Sequence, residues 1–293
     1  MNKLVLSISL FLCLSAASAN AQFGEERAKG TTTKAGQQIL PQAGDFAIGI
    51  DATPLLKYGG NLFNNSDNND PKGIFEGVDQ TIYGKYFIQD NQAVRVKLGF
   101  NTYNENYKAD IEKSADPEEF HKDGDEMKVS RNKFSLDLGY EWRRGYGRLQ
   151  GFYGAGVGFG FGNAGNAYNR TYKYANSITS SYNNPPTTDF SGEGYGENII
   201  GNSRVTKINT GSNFNLNVNA FVGIEYFFAP KISLGGELGL GYFLNSNSRG
   251  KITEEYWDNN AAQTETTEGR IGYASSNDFS TKVKGNVFVM FHF

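Results

Sequence analysis

Eight segments of the chain alternate between apolar and polar residues, and this pattern limits the fold more than any other feature of the sequence. In the clearest segment, every second residue from Phe214 to Phe228 is apolar or aromatic, whereas the intervening positions include Asn215, Asn217 and Asn219. A period of two residues is typical of a β-strand with one apolar and one polar face. The other seven segments lie near residues 46–52, 82–88, 94–100, 134–142, 153–161, 232–244 and 287–293.

The same alternation occurs in soluble β-sandwiches and lipocalin-like barrels, so further evidence is needed to separate these folds from a membrane barrel. Between Tyr153 and Phe161 the polar face consists of glycines, which suit a narrow lumen better than a surface in water. The connections also alternate in length. Short ones lie at 90–92, 144–147 and 229–231, and long ones at about 58–80, 104–127, 162–206 and 245–280.

This alternation of short and long connections is typical of transmembrane barrels, which have tight periplasmic turns and long extracellular loops. We therefore predict an all-β fold, an eight-stranded antiparallel up-and-down transmembrane barrel over residues 44–293. Aromatic residues at both ends of the strands predict two girdles at the membrane interfaces. The periplasmic girdle would contain Tyr140, Trp142, Tyr226, Phe228, Phe291 and Phe293, and the external girdle Phe100, Phe159, Phe161, Phe214 and Tyr242.

The first residues have the layout of a secretory signal. Lys3 precedes an apolar core over Leu4–Leu14, which small residues follow. We predict that residues 1–21 are cleaved and that residues 22–43 form a periplasmic N-terminal tail. Cleavage would remove Cys13, the single cysteine of the sequence, and with it any thiol chemistry.

The signal, the eight segments and a last strand that ends on the aromatic Phe293 resemble the small outer-membrane β-barrel domain family that includes the OmpA barrel and OmpX. The Asn-rich loops and the Ala21-Gln22 cleavage site are most similar to Bacteroidetes members. The resemblance implies residence in the cell outer membrane, contact with outer-membrane lipid, and recognition of Phe293 by the barrel-assembly machinery.

An eight-stranded barrel has an interior that side chains just fill, so charges inside it must pair. The inward positions predict a lumen charge network of Asp51, Lys85, Arg95, Lys97, Arg131, Lys133, Asp137, Glu141, Glu225, Glu237, Lys282 and Lys284. Two interpretations stay open: a rigid salt-bridge plug, or a selective path for ions or protons.

The sequence offers little for catalysis. It contains two histidines, of which His292 lies at the periplasmic rim and His121 lies in an acidic loop with no serine motif nearby. We predict no catalytic residues, no enzymatic activity and no cofactor. A weak calcium candidate at Asp67, Asn69 and Asp70 is more typical of a plain Asn-rich loop, so no metal is predicted.

Tyrosines and tryptophan in the long loops, such as Tyr195 and Trp257, favour contacts with other macromolecules. Strands near 101–113 and 205–213 are expected to run past the bilayer and to present edges to a partner. The first hypothesis is a non-enzymatic barrel with a structural or binding role through its extracellular loops. The alternatives are an accessory subunit of a larger outer-membrane complex for secretion, barrel assembly or nutrient uptake, and a narrow ion channel. No nucleic-acid partner is predicted.

Overall fold

The computed structural model of the chain describes residues 32–34, 36–52, 80–113, 115–116, 118–164, 167–179, 185–269, 275–280 and 286–293. Within these ranges the chain is almost entirely β-structure. The strands are β1 Phe46–Asp51, β2 Gln80–Gln89, β3 Gln92–Glu112, β4 Phe120–Tyr146, β5 Leu149–Asn163, β6 Asn169–Lys173, β7 Ile199–Ile200, β8 Ser203–Asn209, β9 Ser212–Ala229, β10 Ile232–Asn247, β11 Lys251–Asp258, β12 Ala261–Glu268, β13 Ser275–Ser280 and β14 Asn286–His292. A short 3₁₀ helix spans Ser191–Glu193, and no helix in the described part of the chain is long and apolar enough to cross a membrane.

Eight strands close into an antiparallel barrel in the order β1-β2-β3-β4-β5-β9-β10-β14, and β14 pairs back onto β1. The seam is hydrogen-bonded to its last residue. The Phe46 amide donates to the Phe293 carbonyl at 3.2 Å, and the Phe293 amide donates to the Phe46 carbonyl at 2.8 Å. The two rings stack with centroids 5.0 Å apart. The predicted fold class is confirmed.

One end of the barrel, called the turn end below, carries the short connections β2–β3, β4–β5 and β9–β10. Gly147 and Lys231 adopt positive φ angles of 59° in two of these turns. The N-terminal segment also packs here. Ile39 and Leu40 are 2% and 4% exposed in a cluster with Phe227, and the Lys231 amide donates to the Ile39 carbonyl at 3.1 Å. The described end of the predicted tail therefore covers the mouth of the barrel, whereas the predicted cleavage site lies outside the described residues.

The wall continues past the opposite end, called the extended end. Strands β3 and β4 contain 21 and 27 residues, whereas a bilayer is crossed by about 9–11 residues of a tilted strand. Beyond the barrel, β4 pairs with β6, β6 with β8, β8 with β11 and β11 with β12. Strands β3, β4, β6, β8, β11 and β12 thus form a six-stranded wall, called the extended sheet below.

Much of the chain that the alternation pattern assigns to long loops is therefore paired strand. The segments 162–206 and 245–280 contain β6, β7 and most of β8, and β11, β12 and β13. Strand β12 reads Ala-Ala-Gln-Thr-Glu-Thr-Thr-Glu and is exposed at nearly every position. A strand that is polar on both faces shows no period of two, so its backbone pairing leaves no signal in the sequence. The predicted loop 58–80 lies outside the described residues except for Gln80.

The hairpin turn between β11 and β12 gives a test of the extended sheet. Asn259 and Asn260 have φ angles of 49° and 61°, as the tight turn of a two-residue hairpin requires. We expect Asn260→Val to destabilise the hairpin by roughly 1–2 kcal/mol, because a β-branched residue is strained in the left-handed region. Asn260→Gly is the control and should preserve the turn. Amide hydrogen exchange of β11 and β12 measures the effect, and equal protection in both variants would contradict the assigned turn.

Candidate functional site

The outward face of the barrel is apolar and exposed. Ile48, Val222, Ile224 and Leu238 are each more than half exposed. Phenylalanine, isoleucine, leucine and valine side chains continue this surface around the strands. Monomeric soluble proteins rarely expose an apolar patch of more than a few hundred Å². A closed barrel with such an exterior is a membrane-spanning protein, because the bilayer covers the apolar side chains and closure pairs the backbone.

Aromatic residues lie near both ends of this surface. At the turn end the exposed aromatic residues are Tyr226, Phe228, Phe291 and Phe293. The half-buried Trp142 ring lies between two tyrosines, with its centroid 4.8 Å from that of Tyr140 and 5.9 Å from that of Tyr153. Phe46 and Tyr86 also belong to this rim. Their outward parity was visible in the sequence, but the predicted girdle omitted them.

Towards the extended end, four phenylalanines form a continuous row in the strand register. Phe100 of β3 pairs with Phe134 of β4, Phe134 with Phe161 of β5, and Phe161 with Phe214 of β9. All four are exposed. Phe134 was not among the predicted girdle residues, although the register places it within the row. Phe159 and Tyr242, which were predicted here, are half-buried.

Inside the barrel, cations and carboxylates from different strands meet. Lys85 Nζ lies 3.1 Å from Glu141 and 3.2 Å from Glu225. Arg95 contacts Glu141 at 3.3 Å and Glu237 at 2.5 Å, and Lys97 contacts Glu237 at 2.6 Å. We call these residues, together with Arg143, the lumen network.

Arg143 was not among the predicted residues, although its guanidinium lies 2.9 Å from Glu141 and 2.7 Å from Glu225. It is the next inward residue of β4 after Glu141, so extending the alternation by two positions would have identified it. Each of the three glutamates therefore bridges at least two cations.

Other predicted network members lie elsewhere. Asp137 accepts a hydrogen bond from Asn217 at 3.3 Å, closer to the extended end. Asp51 and Lys133 are half-buried on the inward faces of their strands. The Arg131 guanidinium lies over the Tyr168 ring at 4.8 Å in the extended sheet. Lys282, Lys284 and the weak calcium candidates Asp67, Asn69 and Asp70 lie outside the described residues.

Aromatic rings fill the space beside the lumen network. Phe152, Phe221, Phe288 and Tyr83 belong to one buried cluster. The Arg95 guanidinium lies 4.0 Å from the Phe221 ring centroid, and Lys85 Nζ lies 4.8 Å from that of Phe152. Cations over ring faces are stabilised electrostatically without a water shell. The lumen is therefore packed at this level.

His292 joins Ser233 and Glu225 at the bottom of the network. Its Nε2 lies 3.1 Å from the Ser233 hydroxyl and 3.2 Å from the Glu225 carboxylate. In a catalytic triad the serine and the acid occupy different ring nitrogens. Here both contact Nε2, Nδ1 has no hydrogen-bond partner among the described residues, and the Ser233 hydroxyl donates to Glu225. This geometry does not activate a serine. The side chain of His121 lies outside the described part of the chain.

The extended sheet has a second buried core of its own, formed by Met127, Val129, Tyr172, Phe190 and Val205. The segment between β6 and β8 is fixed against it by side-chain hydrogen bonds. The Asp125 carboxylate accepts from the amides of Ala175 at 2.8 Å and Thr188 at 2.7 Å. Arg204 donates to the Asn176 carbonyl at 2.6 Å and contacts Glu255 at 2.5 Å.

Beside this core, tyrosine hydroxyls converge on one carboxylate. The Tyr195 hydroxyl donates to Glu105 at 2.7 Å and lies 3.0 Å from the Tyr103 hydroxyl, which also donates to Glu105. Desolvation raises the pKa of Tyr195, and its hydrogen bonds with Tyr103 and Glu105 raise it further. These tyrosines stay neutral and keep donating across the physiological pH range.

Comparisons with known proteins add little to this geometry. No protein-family model matches the chain, and no curated protein matches it. Among solved structures, a major outer membrane protein from Thermus thermophilus is similar with a TM-score of 0.33 and 12% identity, covering 85% of this chain and 98% of that one. The outer membrane protein OprG from Pseudomonas aeruginosa is similar with a TM-score of 0.30 and 10% identity, covering 87% and 98%. At these scores the fold assignment rests on the strand pairing described above.

Removal of a single charge from the lumen network should greatly lower the stability of the barrel. We expect Glu225→Gln to destabilise the barrel by about 3–5 kcal/mol, because it leaves the buried Lys85 and Arg143 without one of their carboxylates. The matched control is Glu268→Gln, which removes an exposed carboxylate 3.7 Å from Arg249 and Lys251 and should change little. Urea unfolding in detergent micelles, followed by the gel mobility of unheated samples, measures both. Equal stability of the two variants would contradict the role assigned to the network.

Proposed function

We propose that the chain is a non-enzymatic barrel of the cell outer membrane that is closed to permeation and binds a macromolecular partner through its extended sheet. The observation that carries the proposal is the extended sheet itself, which projects beyond the apolar exterior and is folded around its own core. A wall of this kind is not needed to span the bilayer. It provides a preformed surface outside it.

Three features support the outer membrane as the location. Closed barrels with an apolar exterior are typical of that membrane. The first residues have the layout of a cleavable export signal, and the aromatic Phe293 follows the strand that closes the barrel, a pattern that resembles the small outer-membrane β-barrel domain family. In this orientation the turn end faces the periplasm, the extended sheet faces the outside, and the barrel-assembly machinery acts on the strand that closes the seam with Phe46.

The lumen network and its aromatic neighbours support a closed barrel. The side chains of Glu141, Glu225 and Arg143 are fully buried, and Lys85 is 1% exposed. A hydrated ion would have to break several of these ion pairs to pass. At the turn end, Ile39 and Leu40 add a second, apolar barrier.

The β11–β12 hairpin supports contact with a partner that carries basic groups. Residues 251–268 contain one lysine and five carboxylates. Asp258, Glu265 and Glu268 are exposed. Tyr256 and Trp257 lie at the same hairpin and are half-buried. Acidic side chains around amphipathic rings favour association with a complementary basic surface.

Conductance across a planar lipid bilayer tests whether the barrel is closed. We expect no steady single-channel current from the wild-type protein at neutral pH, because the lumen network blocks the path. Arg95→Ala with Lys97→Ala should raise leakage only slightly, since Lys85, Arg143 and the aromatic cluster still fill the lumen. A steady current from the wild type would contradict the closed barrel and support the narrow-channel alternative.

Isolation from native membranes in mild detergent tests the partner. We expect a stoichiometric partner with the wild-type chain and its loss with Asp258→Lys combined with Glu265→Lys. The control is Asp110→Lys combined with Glu112→Lys, which makes the same charge change on exposed residues of β3 and should retain the partner. A wild-type monomer without a partner would contradict the proposal. Retention in both variants would contradict a contact at the β11–β12 hairpin.

A further inference from the structure

The extended sheet carries a group of lysines on its outward face. Lys128 of β4 pairs in register with Thr171 of β6, and Thr171 pairs with Lys207 of β8. Lys251 of β11 pairs with Asn209, which lies two residues after Lys207 on β8. Side chains paired in register point to the same face of a sheet, and so do residues two apart on one strand. Lys128, Lys207 and Lys251 therefore share one face, and we call them the lysine row.

The lysine row lies on the face opposite to the core of the extended sheet. The residues beside it along the strands, Val129, Ile208 and Ile252, belong to that core or pack against it. The lysines themselves are exposed. The side chains of Lys128 and Lys251 are 63% and 57% exposed. A ligand can therefore reach the row from the surroundings of the sheet without entering a cavity.

Carboxylates of the protein balance only part of this positive charge. Lys128 lies 3.4 Å from Glu126, and Lys251 lies 3.7 Å from Glu268. Within the described part of the chain, Lys207 contacts no carboxylate. Two strand spacings separate Lys207 from Lys128 by about 10 Å, and its diagonal neighbour Lys251 is about 7–8 Å away. Like charges at these separations repel each other, so an anion beside the row would be stabilising.

Polar, uncharged residues lie between the external aromatic girdle and the lysine row. Along β4 the outward positions change from an aromatic ring to an amide, a hydroxyl and a cation, in the order Phe134, Asn132, Ser130 and Lys128. On β9, Ser212 lies two residues before the exposed Phe214, and its hydroxyl is 3.1 Å from that of Ser248. A phosphorylated glycolipid has the same order of groups, because sugar hydroxyls and amides lie between its acyl chains and its outer phosphates.

The distance between the girdle and the row favours a large headgroup. Lys128 lies six residues beyond Phe134, which is about 20 Å along a strand and about 14 Å along the membrane normal at a tilt near 45°. Phospholipid headgroups occupy only about 5–8 Å on each side of the hydrocarbon core. Phosphates that are attached to sugars lie further from the hydrocarbon, and the flexible lysine stem adjusts the height of the ammonium group.

We propose that the lysine row binds the phosphates of a glycolipid in the membrane leaflet at the extended end. The acyl chains lie against the exposed rings of Phe134, Phe161 and Phe214, and the sugars lie against the polar residues above them. Each lysine ammonium has three donors and binds phosphate as a point charge. The proposal rests on the orientation proposed above, in which the extended sheet faces the outside, but it requires no protein partner.

Lipid titration of the full chain without its signal, in neutral detergent micelles, tests the proposal. Native mass spectrometry counts the bound lipid. The probe is a rough lipopolysaccharide with phosphates on its lipid and core sugars, and the comparisons are the same glycolipid after removal of its phosphates and phosphatidylglycerol. We expect the wild type to bind the phosphorylated glycolipid more tightly than either comparison. Lys128→Gln and Lys207→Gln should each weaken this binding about fivefold, the effect of one cation at an anionic lipid surface.

The matched control is Lys34→Gln, which removes an exposed lysine from the N-terminal segment and should leave the affinity unchanged. The gel mobility of unheated samples shows that each variant is folded, and two independent variants guard against the loss of one. Equal binding of the dephosphorylated glycolipid, equal binding of phosphatidylglycerol, or equal weakening by Lys34→Gln would overturn the proposal. The partner-binding assay uses other variants and no added lipid, so the two proposals fail separately.

Discussion

Backbone hydrogen bonding in the bilayer is the constraint from which the rest of this structure follows. A strand in hydrocarbon finds no water, so each amide and carbonyl must pair with a neighbouring strand, and an open edge is not tolerated. The seam between β1 and β14 meets this requirement up to Phe46 and Phe293. Eight strands are few enough that closure leaves a narrow interior. The composition of the lumen is a consequence of that width.

The narrow lumen has two halves, and different kinds of side chain occupy each of them. In the turn half, Lys85, Arg95 and Arg143 extend across the interior and meet carboxylates and aromatic rings, and almost no water reaches them. In the other half, the glycines of β5 keep the wall thin, and the asparagines of β9 cover it. Filling both halves with large residues would have produced a uniform plug. The two halves of the lumen therefore differ in side-chain size and charge: large charged and aromatic side chains lie in the turn half, and glycines and asparagines lie in the other.

Sequence periodicity predicted the barrel because lipid and lumen impose different chemistry on alternate residues. Where a strand does not separate lipid from lumen, the alternation of apolar and polar residues disappears from the sequence. Strand β12 is polar on both faces, and Ile39 and Leu40 have no periodic partners, so neither the extended sheet nor the cover of the turn end was fully predictable. Arg143 was predictable from its parity. The contact of Ser233, His292 and Glu225 was not, because it depends on the register between β10 and β14 and not on spacing along one strand.

The charges in the lumen also specify the register of the strands. Apolar residues of similar volume would give a barrel of comparable stability, since burying ion pairs gains little over packing hydrocarbon. A strand with apolar residues on both faces, however, can slip by one residue at low cost, because either face then suits lipid or lumen. With Lys85, Glu225 and Glu237 on the inward face, the same slip would place unpaired charges in hydrocarbon. A lysine at the centre of a bilayer costs about 2–4 kcal/mol in a barrel strand, and a glutamate costs less. The lumen network therefore selects one register among those that backbone pairing alone would permit.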